Sequence, residues 1–93
     1  MTAAVATVQA DNDRMIVTEW RFAPGAETGW HRHQYDYVVV PLADGVLRIE
    51  TADGETAASV LHHGVAYTRL AGIEHNVINA NEFEYAFIEV ELK

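Results

Sequence analysis

The sequence predicts an all-β fold of short strands closed into a sandwich or barrel. Three observations carry this. Turn-forming clusters recur at short intervals along the chain. The runs between them are about five to eight residues long and rich in Val, Ile, Thr, Tyr and Phe. No segment sustains an apolar i, i+3, i+4 pattern without a breaker, so little or no helix is expected.

The breaks come in order: Asp11-Asn12-Asp13, Pro24-Gly25, Asp44-Gly45, Asp53-Gly54, Gly64, Ala71-Gly72 and Asn79-Ala80-Asn81. Asp-Gly pairs favour tight hairpins because their backbone tolerates positive φ. The clearest strands between these breaks are Met15–Phe22, Tyr37–Leu42, Val46–Thr51, Thr56–Leu61, Val65–Leu70 and Tyr85–Leu92, with a further strand at Ala3–Val8. Leu47, Ile49 and Thr51 alternate with Val46, Arg48 and Glu50, as in a half-buried strand. In the last run Tyr85 and Phe87 share a side with Glu89 and Glu91, while Ala86, Ile88, Val90 and Leu92 share the other; the all-apolar set is expected to face the core. The run Val38-Val39-Val40-Pro41 would invite edge pairing if exposed, so it belongs either in the middle of a sheet or in a dimer interface. Pro41 cannot donate to a ladder and should end or bulge the strand.

The chain has 93 residues, which makes one domain, residues 1–93, the natural count. Hydrophobic residues make up 49% and charged ones 22%, a composition that excludes disorder over most of the length. A domain this small is marginally stable by surface-to-volume scaling and has no cysteine to staple it. A closed core, a metal or a partner subunit must supply the rest. Six basic against fourteen acidic residues leave a net charge of −8, which phosphate backbones and anionic lipid repel; neither nucleic acid nor a membrane surface is expected as a partner. The absence of cysteine excludes disulfides, thiolate metal sites and cysteine nucleophiles. No basic, apolar leader or membrane-length apolar run is present in the sequence, so a cytoplasmic location is expected.

Three of the five histidines form the chemically meaningful set. His31 and His33 are two residues apart, which on a strand aims both imidazoles at one face, and His75 follows 42 residues after His33 behind another turn. Imidazole suits Zn, Fe, Mn, Ni and Cu. A lone histidine on a strand is more often a hydrogen-bonded core residue, and the i, i+2 pair alone is weak. His62-His63 reads as an exposed turn before Gly64. Trp20, Trp30, Tyr35, Tyr37, Tyr67 and Phe87 read as packing residues. Arg32 points away from the pair, and Arg69, Glu27 and Glu74 read as solvated.

The spacing around the histidines is more specific. Gly25 is followed by five residues and then His31-Arg32-His33; Gly64 is followed by five residues, Leu70-Ala71-Gly72, two residues, His75, three residues and Asn79. These stretches resemble the two motifs of the cupin superfamily, over Gly25 to Asn79, with Gly45 closing the first. Leu70 replaces the second motif's proline. The first motif's glutamate falls at Tyr37 or Val38, neither of which can be a carboxylate ligand. Asp36, one position earlier, is the remaining carboxylate candidate, with capping of the turn as its other role. The text Gly29-Trp30-His31-Arg32-His33, Asp36 to Pro41 and Glu74 to Asn79 is similar to small bacterial cupins associated with β-alanine degradation.

The resemblance implies a cupin-type jelly-roll barrel, or double-stranded β-helix, holding one divalent metal, Fe, Mn, Ni or Zn, on His31, His33 and His75 with Asp36 as the fourth candidate. It implies a small-molecule ligand in the barrel. It leaves two functions open: a metal-dependent, oxygenase-like enzyme acting on a small organic acid, or a non-catalytic metal- or small-ligand-binding module. No catalytic residue is assigned beyond the ligands. Small cupins commonly dimerise through sheets or an exchanged N-terminal strand, so a homodimer is expected, with an apolar centre and acids at its rim.

Overall fold

The computed structural model describes residues 2–93. It contains nine strands and no helix among the described residues: β1 (Val5–Asp11), β2 (Met15–Phe22), β3 (His31–Arg32), β4 (Asp36–Pro41), β5 (Gly45–Thr51), β6 (Thr56–Leu61), β7 (Tyr67–Arg69), β8 (Glu74–Asn79) and β9 (Tyr85–Leu92). They form two antiparallel sheets, one of five strands in the order β1-β2-β9-β4-β7 and one of four in the order β3-β8-β5-β6. This is the jelly-roll barrel expected of the sequence. No helix is long and apolar enough to cross a membrane.

The core lies between the sheets. Phe22, Tyr37, Val39, Leu47, Leu61, Val77, Tyr85 and Phe87 are buried there, drawn from both inner faces. Hydrophobic burial of such a cluster is what holds a small β-domain together, at roughly 1.5–3 kcal/mol for each large apolar side chain. Tyr85 also satisfies its hydroxyl, which donates to the Ala43 carbonyl at 2.7 Å. Gly45 has to be glycine for this packing, because a Cβ there would sit 2.6 Å from the Tyr85 ring. The Asp44-Gly45 pair is therefore not the positive-φ hairpin expected of it; close approach, not φ, selects this glycine. Asp53-Gly54 does make a hairpin turn, with Gly54 at φ 82° between β5 and β6.

Val38 to Pro41 lies inside the five-stranded sheet, between β9 and β7, and Pro41 is the last residue of its strand. The strand expected at Val65–Leu70 contracts to Tyr67–Arg69, with Val65 and Leu70 exposed. Trp30, expected to pack, is also exposed. The N-terminal strand runs Val5–Asp11 and pairs with β2 of its own chain.

The expectation for β9 is overturned. Tyr85, Phe87 and Glu89 face inward and are buried, whereas Ile88 and Val90 point outward and Leu92 is exposed. Cross-strand register fixes this: Glu89 pairs with Thr18 and Val39, and Phe87 with Trp20 and Pro41, all on the inner face. The apolar set was the wrong one to place inside because this interior contains polar groups.

Candidate metal centre

His31 is on β3 and pairs directly with His75 on β8, while His33 follows just beyond β3. Directly paired residues on antiparallel strands share a face. The three side chains therefore converge at one end of the barrel. The Nε2 of His33 lies 3.0 Å from that of His31 and 3.0 Å from that of His75.

The surrounding bonds set the proton positions. His31 Nδ1 lies 2.9 Å from the Gly29 carbonyl, which only accepts, so Nδ1 carries the proton and Nε2 presents a lone pair. Thr28 and Asn76 hold this segment in place. Asn76 Oδ1 accepts from the Gly29 amide at 3.0 Å, Asn76 Nδ2 donates to Glu50 at 2.9 Å, and the Val77 amide donates to the Thr28 hydroxyl at 3.2 Å. A single hydrogen on His33 Nε2 can point at only one of its two nitrogen neighbours. Proton placement on neutral rings thus leaves one close nitrogen pair unsatisfied, whereas a cation between the three satisfies all of them.

The donor set fits a metal on two further grounds. Burial, then the neighbouring His31, lowers the pKa of both His33 and His75 to about 4, with His75 also acting on His33 and Arg69 on His75. Both rings are neutral at pH 7, the form a metal requires. At metal–nitrogen bonds of about 2.1 Å, two ligands at a right angle stand about 3.0 Å apart and two at the tetrahedral angle about 3.4 Å. The observed separations match the right angle.

Asp36 is not brought into this cluster. Its side chain is on the outer, exposed side of β4, where Oδ1 accepts from the Ala71 amide at 2.8 Å. Tyr37 takes the inward position instead, and its ring stacks on His33 with centroids 3.9 Å apart. Asn79 stays out of the cluster as well: its amide donates to the carbonyls of Phe22, Ala23 and Phe83, tying together the loops beside the barrel end. His62 and His63 are exposed beside the Gly64 turn, as expected.

Two groups outside the expected ligand set, Glu89 and Arg69, face the same space, although Arg69 reads as merely solvated in the sequence. A cavity of about 350 Å³ opens beside the histidines, lined also by Thr51, Tyr67, Arg69, Phe87 and Glu89. Glu89 is buried, and burial followed by the charge of Glu91 pushes its pKa up to about 7. One oxygen each of Glu89 and Glu91 and one nitrogen of His33 all lie within 4.8 Å of one another. Arg69 reaches the cavity from β7, with its guanidinium carbon 4.6 Å from the centre of the Tyr67 ring.

No family model matches the sequence. The β-alanine degradation protein BauB of Pseudomonas aeruginosa is 62% identical over 90 residues, covering 97% of this chain and 94% of that one. A cupin domain from Bordetella pertussis superposes with a TM-score of 0.96 at 56% identity, covering 99% of this chain and 95% of that one. A double-stranded β-helix domain protein from Klebsiella pneumoniae gives a TM-score of 0.79 at 19% identity over 97% of this chain and 76% of that one, a likeness of fold alone. With such identity over nearly the whole length and the same barrel, the chain belongs to the cupin superfamily, among its small bacterial members.

Proposed function

We propose that the protein is a metal-dependent cupin that binds one divalent ion per chain through the Nε2 atoms of His31, His33 and His75 and acts on a small organic acid in the adjoining cavity. The observation that carries this is the pair of 3.0 Å nitrogen separations, which protons alone do not satisfy. Three imidazoles with no thiolate suit iron, manganese, nickel or zinc. A bound ion supplies a Lewis acid with open positions and, where it is iron, oxygenase chemistry. The chain's own groups do the rest: Thr28, Gly29 and Asn76 fix the His31 ring, and Tyr37 packs against His33. Asp36 serves the Ala71 turn in this reading and leaves coordination to the three rings.

The β-alanine link of the Pseudomonas relative supports a short acid as ligand. We place the protein in the cytoplasm, acting as one domain and as a homodimer. The dimer reading rests on the outer face of the five-stranded sheet, where Met15, Val17, Val38, Val40, Ile88 and Val90 have no covering layer, and on β1, exposed along its length. Sheet geometry gives a face of roughly 500 Å², so flanking residues must contribute to reach the about 800 Å² per partner of a standard interface. A second copy is the natural occupant, because a flat apolar face is complementary to itself across a two-fold axis.

Elemental analysis of protein purified without a metal-affinity tag tests the metal: about one Fe, Mn, Ni or Zn per chain is expected. Metal-free protein that takes up none of these ions overturns the reading. Oxygen consumption with short acids separates the enzyme from a binding module, which would hold a ligand without turning it over.

A further inference from the structure

We propose that Arg69 is the carboxylate anchor of the cavity, and that the ligand is a short monocarboxylic acid whose other end faces the three histidines. The anchor itself stands on the cavity; only the assignment of the far end rests on the metal reading above.

The placement of Arg69 carries the argument. It sits on the inner face of β7, directly opposite Tyr37 on β4, and the Tyr37 ring stacks on His33. One aromatic side chain thus separates the guanidinium from the histidine cluster. Arg69 is the sole Lys or Arg lining the cavity, in a chain with fourteen acids against six bases. An anion entering so acidic a protein needs a local cation, and this one is available. Among the described residues no carboxylate lies within ion-pairing distance of Arg69, whereas Arg21 and Lys93 both have acidic partners.

Its orientation is also prepared. The guanidinium lies over the Tyr67 ring, and one N–H donates to the Thr68 carbonyl at 2.8 Å. These two contacts restrain the guanidinium while leaving most of its five donors free, and a planar fork of this kind matches a carboxylate with two parallel hydrogen bonds. Val39, Val77 and Phe87 are among the residues lining the same cavity, which suits the carbon chain of a short acid. The cavity volume of about 350 Å³ lies at the small end of ligand sites and admits a small molecule only. Arg69 is exposed at the edge of the cavity, where an entering carboxylate can reach its free donors.

The test compares butyrate with butyramide, which has nearly the same shape and no charge, by calorimetric titration of metal-free and metal-loaded protein. The wild-type chain is expected to bind butyrate in the millimolar range or tighter and butyramide about tenfold more weakly or worse. Arg69→Gln is expected to lose about tenfold or more in butyrate affinity with butyramide unchanged, and Arg69→Lys to fall between, since a lysine keeps the charge without the fork. Equal butyrate affinity in wild type and Arg69→Gln overturns the proposal, as does wild-type protein that binds no butyrate or prefers the amide. Circular dichroism establishes that both variants fold, and the lysine variant reads the charge even if the glutamine variant does not. Metal content measured on the same samples separates the two readings. Charge-selective binding that depends on Arg69 in a chain that takes up no metal leaves the anchor standing and removes the metal; full metal content with no effect of Arg69 does the reverse.

Discussion

Both faces of the five-stranded sheet depart from the usual arrangement of a half-buried sheet. Its inner face buries Phe22, Val39, Tyr85 and Phe87 but also Thr18 and Glu89, with Arg69 at its exposed edge, while its outer face carries Met15, Val17, Val38, Val40, Ile88 and Val90 beside Glu19, Arg21 and Asp36. An antiparallel sheet with one face in water ordinarily puts apolar residues in and polar ones out. The departure is local to β9 and its neighbours, since the four-stranded sheet buries Leu47, Leu61 and Val77 in the ordinary way. Buried polar groups cost stability unless partnered, and exposed apolar ones are a liability unless covered. Each departure marks a place where the chain does something besides fold: a ligand site within and a partner surface without.

The inner face is broken most completely by removing the histidines. In the double variant His31→Ala, His33→Ala, metal content measured by elemental analysis should fall from about one ion per chain to background, because one remaining imidazole cannot hold an ion by itself. In the wild type, occupancy should also fall as pH drops toward about 4, where the buried His33 and the partly buried His75 take up protons. Unchanged metal in the double variant removes these residues as ligands.

The outer face is broken by a charge at its centre. Val90→Lys should convert a dimer into a monomer in sedimentation velocity at micromolar concentration. The lysine would be buried against its two-fold mate, at a cost of several kcal/mol. Raising salt should strengthen the wild-type dimer or leave it unchanged, because the chains repel through −8 charges each. A wild-type protein that sediments as a single chain breaks the comparison on this side, and the apolar outer face then needs another explanation.

Glu89 sharpens the comparison at a single residue. Its folded pKa of about 7 lies above the ordinary glutamate value, so burial disfavours the charged form. The native state is unpenalised below about pH 4.5, and the cost grows as pH rises through 7. Glu89→Gln should therefore stabilise the metal-free protein by about 1–3 kcal/mol at pH 8 and by nothing at pH 4.5, read from denaturant midpoints. The buried histidines act in the opposite sense. Their folded pKa values near 4 lie below the unfolded value, so their stability is present above about pH 6.5 and lost as pH falls through 4. A glutamine variant no more stable at pH 8 than the wild type would show that Glu89 is charged and compensated.

Much of this arrangement was legible in the sequence, for identifiable reasons. The barrel followed from turn chemistry and β-branched runs, which are local signals. The meeting of His31, His33 and His75 was implied by the resemblance of their spacing to Gly25, Gly64 and Asn79 to the two cupin motifs. Arg69 reads as solvated and Glu89 as outward-facing because their placement depends on which strands they pair with. Glu89 is at the cavity through its register with Thr18 and Val39, and Arg69 through its register with Tyr37, and register is a long-range property. The inward face of β9 was misread for the related reason that alternation shows two faces and does not say which is inside. Gly45 shows the same limit, since its neighbour Tyr85 is forty residues away in sequence.

Asp36 gives the smallest expected effect and the sharpest division between the faces. It shares β4 with Tyr37, yet the two side chains point to opposite sides, Tyr37 onto His33 and Asp36 to the exposed turn at Ala71. The carboxylate accepts one backbone hydrogen bond in an exposed setting, an interaction of about 0.5–1.5 kcal/mol. In Asp36→Asn the side-chain carbonyl can still accept from the same amide, so the stability loss should stay at about 1 kcal/mol or less. Metal content should not change, because no charge near the three rings is lost. An asparagine variant that folds normally but loses its metal would place the carboxylate among the ligands and require β4 to turn at that residue when the ion binds. Retained metal with a small shift in midpoint keeps coordination with the imidazoles and leaves Asp36 to the turn.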